Sequence, residues 1–307
     1  MAFDRLFILG TCLANQIAMT NSKRIRDNFT GIVKLSRTTT SKFSTLLTKP
    51  GPISERLYYD MHNTIHNAPV RIQQQYYSIV KPMGISEIFS DVRPNDVLML
   101  DFLGELCPTF TDGIEEFQIL LGTFGQPLIS YWPQWLVDTV TSCHAYQEDM
   151  LSPEQRKRRD KQIYKFSDLI TNKFGSRVIV IQNLFTNKIY VPELNAIGQQ
   201  MLIPDKNISV PFITVNADGD ESHPNYEFFN RLCHIHNRRL HTYAPHWQYI
   251  TPDIDKCFTD LHHEHGPHPT HLHMISIPHL VDQFNNIIDN MPPPKIITST
   301  QGLITAL

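Results

Sequence analysis

The stretch on which the fold of this chain depends is Phe7-Ile8-Leu9-Gly10-Thr11-Cys12-Leu13-Ala14-Asn15-Gln16. Its first part belongs to a short apolar run, residues 6–9, that stops at a glycine. A hydroxyl and a thiol follow at once, and the chain then continues with residues that can start a helix. This pattern is typical of a buried parallel strand that delivers a reactive side chain to the carboxyl edge of an open α/β sheet.

Two residues of this stretch are candidates for a functional site. Gly10 is expected to let the backbone turn sharply, because it has no Cβ atom to clash. Cys12 would then lie at the mouth of a crevice, near the amino end of a helix whose dipole and free N–H groups favour a thiolate and a developing oxyanion. The alternative is that Cys12 is a buried, unreactive thiol, since cysteine usually packs as a small hydrophobe.

The composition limits the class of protein. With 307 residues, of which 41% are hydrophobic and 19% charged, the chain can bury a sizeable core. Its 27 basic and 30 acidic residues give a net charge of -3, so no basic excess predicts nucleic-acid binding. The five cysteines form no CxxC motif, which favours a reducing cytoplasm over a disulfide framework. No secretory pattern opens the chain, and no apolar stretch predicts a membrane span.

Short apolar runs recur along the chain and are separated by stretches of helical character. The predicted strands are residues 6–9, 31–35, 97–103, 177–182 and 247–250. The predicted helices are residues 13–26, a helix capped by Ser152 with Pro153 in its first turn, residues 225–240 and residues 278–288. This alternation predicts a three-layer α/β fold with an open, mostly parallel sheet.

The domain prediction is one α/β domain over residues 1–290, followed by a C-terminal tail over residues 291–307. An aromatic-rich segment near residues 108–150 is predicted to be an insertion in, or a cap over, this domain. Its Trp132 and Trp135 either line a substrate groove or pack in the core, and core packing is the more frequent use of tryptophan.

A candidate general base lies far along the chain. Asp260 and His263 are three residues apart, in a predicted loop that follows a strand and precedes the last helix. At this spacing the carboxylate can accept the Nδ1–H of the imidazole, which leaves Nε2 free to take a proton from a nucleophile. The pair Asp220 and His223 has the same spacing and stays an open alternative.

The Gly10-Thr11-Cys12 start and the late Asp260-x-x-His263 resemble the SGNH/GDSL superfamily of esterases and acyltransferases. In this resemblance Cys12 stands at the position of the family's serine. The Gly-x-Cys start is also similar to capsule-biosynthesis acetyltransferases of the WcbI kind, which bind coenzyme A.

Further segments carry the resemblance. Similar Gly-Ser-Cys proteins share an Arg-Thr-rich segment after the second strand, like Arg37-Thr38-Thr39, and a strand that ends in acidic residues, like Asp101 and Glu105. The chain departs from the SGNH pattern because residues 102–105 do not read Gly-x-Asn-Asp, and no second-block glycine follows residues 31–35. The backbone N–H of Cys12 is therefore the one oxyanion donor that the resemblance supplies.

What the resemblance implies is an SGNH/flavodoxin-like fold with Cys12 as nucleophile, His263 as base and Asp260 as the residue that orients it. The implied substrate-binding residues are Gly10, Thr11, Arg37, Thr38, Gly104 and Glu105. The implied activity is O-acetylation of a sugar or capsular polysaccharide from acetyl-coenzyme A, with SGNH-type ester hydrolysis as the alternative. Coenzyme A phosphates have candidate anchors in Arg37, the basic residues 156–161 and the helix amino terminus after Cys12.

Two other classes of protein compete with this reading. The chain holds 15 histidines, and a His-rich metal-binding protein could use a group such as His268, His271 and Asp260. Because no H-E-x-x-H occurs in the cluster at residues 262–273, we expect no bound metal. The third class is a non-catalytic carbohydrate-binding protein that uses the aromatic residues of 108–150.

Overall fold

The computed structural model of the chain describes residues 3–10, 12–35, 51–70, 72–73, 76, 88–102, 109–111, 116–117, 131–142, 144–146, 152–186, 188–190, 203–204, 226–260 and 272–292. At residues 12, 141, 226–229 and 260, and in most of the short outer strands, the description covers the backbone alone.

The strands are numbered in chain order. They are β1 Phe3–Leu9, β2 Phe29–Lys34, β3 Val97–Asp101, β4 Thr109–Thr111, β5 Glu116–Phe117, β6 His144–Tyr146, β7 Val178–Ile181, β8 Lys188–Tyr190, β9 Ile203–Pro204, β10 Gln248–Ile250 and β11 Thr259–Asp260. The helices are α1 Cys12–Thr20, α2 Ser22–Asn28, α3 Pro52–Met61, α4 Gln134–Ser142, α5 Pro153–Phe174, α6 Tyr226–Tyr243 and α7 Pro278–Asn290.

The central sheet has five parallel strands in the order β10-β7-β3-β1-β2. Each of them coincides with one of the five predicted apolar runs, so the predicted α/β fold with a parallel sheet is confirmed. The runs were visible in the sequence because strands covered by helices on both faces are apolar at nearly every position. All five residues of β3, for example, are buried.

The two faces of the sheet belong to two separate hydrophobic clusters, which makes the fold three-layered. Alternate residues of each strand point to opposite faces. Leu6 and Ile8 of β1 pack in one cluster with α1, α2 and α7, whereas Phe7 and Leu9 pack in the other with α5 and the end of α6.

The helix predicted over residues 13–26 is two helices, and this prediction is corrected. Helix α1 ends at Thr20 and α2 begins at Ser22. Between them Asn21 is buried and donates from Nδ2 to Oδ1 of Asn285 on α7, at 2.6 Å. This contact between distant parts of the chain favours a bend that local sequence does not encode.

Helix α5 begins as the sequence predicts. The Ser152 side chain accepts from the backbone N–H of Gln155, whose side chain in turn accepts from the N–H of Ser152. Pro153 occupies the first turn, and Gly175 ends the helix with a φ of 61°. A positive φ is a conformation that glycine adopts at little cost.

Two small sheets lie outside the central one. One has the order β5-β4-β6 and falls within the predicted insertion, and the other has the order β11-β8-β9. A third hydrophobic cluster joins α3 and the residues after it to α4, and Trp132 is buried there with Leu136. The predicted domain boundaries stay predictions. Among the residues that the structure describes, no helix combines the length and the apolar character needed to cross a bilayer.

Candidate functional site

The candidate site lies at the carboxyl edge of the central sheet, where the strand order reverses. From β1 the chain passes to β2 on one side and then to β3 on the other side of β1. Within the central sheet, β3 is in turn followed by β7 on the side away from β1, so the strand order reverses between β1 and β3. In open α/β sheets ligands bind at this switch point, outside the carboxyl ends of the strands.

Gly10 follows β1 and packs against the carboxylate of Asp101, the last residue of β3. A Cβ atom on Gly10 would lie 2.7 Å from Oδ2 of Asp101 and 2.8 Å from Cβ of Ala14. Both distances are shorter than any normal contact, so position 10 has room for glycine alone. A Cβ clash is the reason that the sequence analysis gives for Gly10, and these distances agree with it; among the described residues the glycine with a positive φ is Gly175, so Gly10 is required for space.

Asp101 is a buried carboxylate at this edge, with 5% of its surface exposed. Oδ2 of Asp101 and Cβ of Ala14 both lie next to the position that a Cβ atom on Gly10 would occupy. Asp101 is therefore close to the first turn of α1, where the helix dipole stabilises a negative charge. Sequence analysis noted Asp101 within the resemblance but did not select it as a site residue. The available signal was a buried apolar strand that ends in an acidic residue at the edge where ligands bind.

Cys12 is the first residue of α1, one residue beyond the glycine and the threonine that follow β1. The next residues of the helix hold it in place, because Leu13, Ala14 and Ile17 are buried in the cluster that α1 shares with β1. The first turn of a helix leaves backbone N–H groups without partners inside the helix. The structure therefore puts the backbone of Cys12 where the sequence predicts it, at the amino end of the helix that follows β1 at the switch point.

Asp260 lies in β11 and not in the predicted loop, which is a second correction. Strand β11 pairs in parallel with β8, and Thr259 also bridges to Leu272. The amide of Gln16, one helical turn after Cys12, donates from Nε2 to the carbonyl of Leu272 at 3.4 Å. The segment that carries Asp260 is thus bound to the same helix that begins at Cys12.

Two buried polar atoms at this junction have no hydrogen-bond partner. They are Oε1 of Gln16 and Oγ1 of Thr259, whose residue is completely buried. Buried polar groups are normally paired, so an unpaired one in a native protein calls for a functional or solvent partner. Sequence analysis did not single out either residue, and their positions depend on the pairing of segments far apart in the chain.

The remaining predicted site residues lie outside the described residues. They are Thr11, Arg37, Thr38, Gly104, Glu105 and His263, together with the alternative pair Asp220 and His223. The convergence of Cys12, Asp260 and His263 therefore stays a prediction. His263 is three residues from Asp260, which limits the distance between their Cα atoms to about 11 Å.

A different cysteine and histidine are in contact beside this site. Sγ of Cys257 lies 4.0 Å from Nε2 of His279, in the first turn of α7, and the N–H of Asp253 donates to the same Nε2 at 3.3 Å. Burial lowers the pKa of His279. Cys257 is completely buried, and an inaccessible thiol is inert, so this contact is structural.

The basic residues 156–161 occupy the amino-terminal turns of α5. Phe166 of α5 packs edge-on against Phe102, which directly follows β3, with ring centroids 6.0 Å apart. The turns before Phe166 therefore extend past the carboxyl edge of the sheet, on the face that α5 covers. Arg156, Lys157 and Arg158 are exposed there.

The tryptophans of the predicted insertion have structural contacts. Trp132 is a core residue, with 6% of its surface exposed. Trp135 donates its indole N–H to Asp60 of α3 at 2.7 Å, and the guanidinium of Arg56 lies 4.2 Å from its ring centroid. These contacts join α4 to α3.

No group of three or more histidine, cysteine, aspartate and glutamate side chains that could hold a metal occurs within the described ranges. Most of the histidine cluster, including His268 and His271, lies outside those ranges. His273 is described, and its Nδ1 accepts from the N–H of Ile275 at 3.2 Å, which caps a short 3₁₀ helix.

Comparisons of this chain with protein-family models, with curated proteins and with solved structures found no match.

Proposed function

We propose that this chain is an acyltransferase in which Cys12 carries an acetyl group from acetyl-coenzyme A to a hydroxyl of a sugar or polysaccharide. The observation that carries the proposal is the position of Cys12. It is the first residue of α1, directly after β1, at the point where the strand order of a parallel sheet reverses. A nucleophile there can reach a ligand in the crevice, and its own backbone N–H can stabilise an oxyanion.

The proposed reaction has two half-reactions. His263 accepts the thiol proton while Sγ of Cys12 attacks the thioester carbon, and the donor thiolate leaves with the proton that His263 returns. His263 then removes the proton of the acceptor hydroxyl, whose oxygen attacks the acetyl carbon. The Cys12 thiolate leaves and takes that proton back, so the protein ends unchanged. Asp260 holds the imidazole with its Nδ1 protonated throughout.

The packing around α1 supports the choice of Asp260 and His263 as partners of Cys12. Thr259 bridges to Leu272, and the carbonyl of Leu272 binds Gln16, which is one turn from Cys12. The strand that carries Asp260 is therefore anchored beside the helix that carries the nucleophile. His263 follows within a segment whose two ends, residues 260 and 272, both lie at this junction.

The electrostatics of the edge favour one set of phosphate anchors over another. The carboxylate of Asp101 already lies against the positive end of α1, so a phosphate bound there would meet a like charge. The exposed Arg156, Lys157 and Arg158 of α5 lie at the same carboxyl edge of the sheet, on the face opposite α1. We assign the phosphates of coenzyme A to these residues and the thioester to the crevice.

A thiol nucleophile fits a thioester donor, because exchange between two sulfur groups requires little change in free energy. The cytoplasm supplies acetyl-coenzyme A, and we place the protein there. Trp132 does not line the crevice, since it is buried in the third cluster, so any cover over the acyl group would come from other residues of the insertion.

The experiment is intact-protein and peptide mass spectrometry after incubation with acetyl-coenzyme A, together with calorimetry of coenzyme A binding. We expect one added acetyl group, located on Cys12, in the wild type and none in Cys12→Ala. The matched control is Cys233→Ser, since Cys233 is buried within α6 and should not change the adduct. The triple substitution of Arg156, Lys157 and Arg158 by glutamine should weaken coenzyme A binding.

Two outcomes would contradict the proposal. Turnover of nitrophenyl esters that depends on Cys12, without an acetyl adduct or coenzyme A binding, would show an esterase. An unchanged adduct in Cys12→Ala would show that another residue is the nucleophile.

A further inference from the structure

Helices α5 and α6 carry an uneven share of the charge of this chain. They hold ten of its 27 basic residues but only four of its 30 acidic ones, so the rest of the chain has a net negative charge. The two helices lie side by side and run in the same direction, because Asp160 pairs with Arg239 at 3.2 Å and the rings of Tyr164 and Tyr243 lie 5.9 Å apart. The basic charge of both helices is therefore concentrated in one layer of the fold.

The outer face of this layer is defined here by Lys161, Tyr164, Lys165 and Arg238. On each helix the buried residues recur at intervals of three and four, which places them on the side that packs towards the sheet. The four residues of the outer face lie away from that side and are exposed, and Tyr164 has 56% of its surface exposed. The outer face therefore presents three cationic groups and an aromatic ring to the surroundings of the protein.

Within the described part of the chain, no carboxylate forms an ion pair with the cationic groups of the outer face. The partner of Nη2 of Arg238 is Nε2 of His234 at 3.0 Å, which is an imidazole nitrogen. The exposed acidic residues of α5, Glu154 and Asp168, come before and after the lysines of the outer face. The positive charge of this face is therefore open to an anion outside the protein.

The side chains of the outer face favour one class of anionic partner. A lysine ammonium is a point charge on a flexible stem, so it imposes no fixed geometry on the anion that it meets. A fluid layer of phospholipid headgroups offers anions of this kind, and tyrosine rings are enriched at the level of those headgroups. A long polyanion such as a nucleic acid would extend past the two helices to the rest of the chain, whose net negative charge would repel it.

We infer that the outer face docks this protein onto a membrane surface that contains anionic phospholipids, with α5 and α6 lying against the headgroups. The lysines and Arg238 are attracted by the negative surface potential of the membrane, and the ring of Tyr164 enters the headgroup layer. The same potential repels the rest of the chain, which fixes the orientation of the docked protein. This docking goes beyond the proposed function and does not depend on it, because it uses neither Cys12 nor acetyl-coenzyme A.

The experiment is sedimentation of the full chain with vesicles, made either of phosphatidylcholine alone or of phosphatidylcholine mixed with phosphatidylserine. We expect binding to the mixed vesicles, loss of that binding as salt is added, and much weaker binding to the neutral vesicles. Lys161→Glu combined with Lys165→Glu should lower the affinity for the mixed vesicles by about 25-fold or more, since each lysine contributes about fivefold. The matched control is Lys23→Glu combined with Arg26→Glu in α2, which changes the net charge equally on the opposite face of the sheet and should bind as the wild type does.

Two more variants separate charge from fold and from chemistry. Lys161→Gln combined with Lys165→Gln is the substitute if the charge reversal does not fold, and it should also weaken binding. Cys12→Ala should bind the mixed vesicles like the wild type, so a failure of the docking and a failure of the proposed acyl transfer are distinguishable.

Three results would overturn the inference. The first is no binding of the wild type to the mixed vesicles at low salt. The second is an equal loss of binding in the α2 control, which would make net charge the cause and not the outer face. The third is binding to single-stranded DNA or to a soluble acidic polysaccharide without binding to vesicles, which would identify a soluble polyanion as the partner.

Discussion

Strand β3 has a buried aspartate at each end, Asp96 directly before it and Asp101 as its last residue. The carboxylate of Asp96 accepts four hydrogen bonds: from the N–H, Nε and Nη2 of Arg5, at 2.9, 3.2 and 2.7 Å, and from the N–H of Arg93, at 2.7 Å. Arg5 also binds Asp91, and the hydrogen bonds to Asp91 and Asp96 raise the pKa of Arg5. The same hydrogen bond to Arg5 lowers the pKa of Asp91.

The carboxyl end of the same strand differs. Asp101 lies against Gly10 and the first turn of α1, and beside that helix Gln16 Oε1 and Thr259 Oγ1 are buried without partners. At the amino end, the hydrogen bonds between Arg5 and Asp96 therefore join β1 to β3. The two ends of β3 therefore differ in role: the amino end joins two strands, and the carboxyl end meets the helix that begins at Cys12.

The largest expected effect on stability comes from removing Asp96, the carboxylate that is paired at the amino end of β3. Asp96→Ala removes a carboxylate with no exposed surface and leaves the Arg5 guanidinium, 14% exposed, with Asp91 as its partner. Losing one side of a buried ion pair should lower the free energy of unfolding by about 3 kcal/mol. Urea denaturation measures this loss. The control is Asp91→Ala, whose carboxylate is exposed, and it should cost much less. Equal losses in the two variants would contradict the comparison.

At the carboxyl end, the substitution that should disturb the packing most is Gly10→Ala. The added methyl group would overlap Asp101 Oδ2 and Ala14 Cβ, and Ala14 cannot yield because it is fixed on α1. Overpacking of this kind should cost about 2 kcal/mol. The control is Gly31→Ala in β2, where a Cβ atom meets nothing closer than Cγ of Arg5 at 3.9 Å, and the substitution should gain about 0.5 kcal/mol.

Thermal and urea unfolding of the two glycine variants give the test. A Gly10→Ala protein as stable as the wild type would show that Asp101 can move away from residue 10, and that the packing at the switch point is loose.

The sequence was sufficient for the central sheet because each of its strands is a local signal. A strand covered on both faces is a short apolar run, and its end at the carboxyl edge, as at Gly10, can be read without knowing its neighbours. Cys12 at the start of a helix follows from the same local reading. The bounds of β1 and β3 agree with the predicted runs to within three residues.

Features that depend on contacts between distant segments could not be predicted from the sequence. Asp101 becomes a candidate site residue only because β3 lies next to β1, and strand order is not a local property. Asp260 forms a strand because residues 188–190 pair with it, and the bend at Asn21 depends on Asn285 of α7. That Oγ1 of Thr259 has no hydrogen-bond partner likewise follows only from the three-dimensional structure around it.

A smaller effect is expected from His279, beside the carboxyl end. Burial lowers the pKa of His279 in the folded protein below 6.5, the ordinary value that applies to the unfolded chain. Between the folded and the unfolded pKa, the folded protein therefore binds fewer protons than the unfolded chain. Stability is therefore full above about pH 6.5 and falls as the pH drops through that window. Nearby charges are Lys256, which also lowers the pKa, and Asp253 and Asp282, which raise it.

His279→Gln removes the titrating group and keeps an oxygen that can accept the N–H of Asp253. We expect urea denaturation at a series of pH values to show a flatter decline below about pH 6.5 in this variant than in the wild type. Identical pH profiles would mean that His279 titrates normally in the folded protein.

The smallest effect, and the most direct comparison of a paired with an unpaired group, comes from two threonines that are both completely buried. Oγ1 of Thr186 donates to the carbonyl of Cys257 at 2.7 Å, whereas Oγ1 of Thr259 has no partner. Valine has nearly the shape of threonine and lacks the hydroxyl. Thr186→Val should therefore lose about 1–2 kcal/mol, because it leaves a buried carbonyl unpaired.

Thr259→Val removes a hydroxyl that contributes no hydrogen bond to stability, so its free energy of unfolding should be unchanged or higher by up to about 1 kcal/mol. If that hydroxyl serves a ligand, the same variant should form the Cys12 acetyl adduct more slowly although it is more stable. Unfolding and adduct kinetics on the two valine variants measure both quantities. A Thr259→Val protein destabilised as much as Thr186→Val would show that Thr259 has a structural partner.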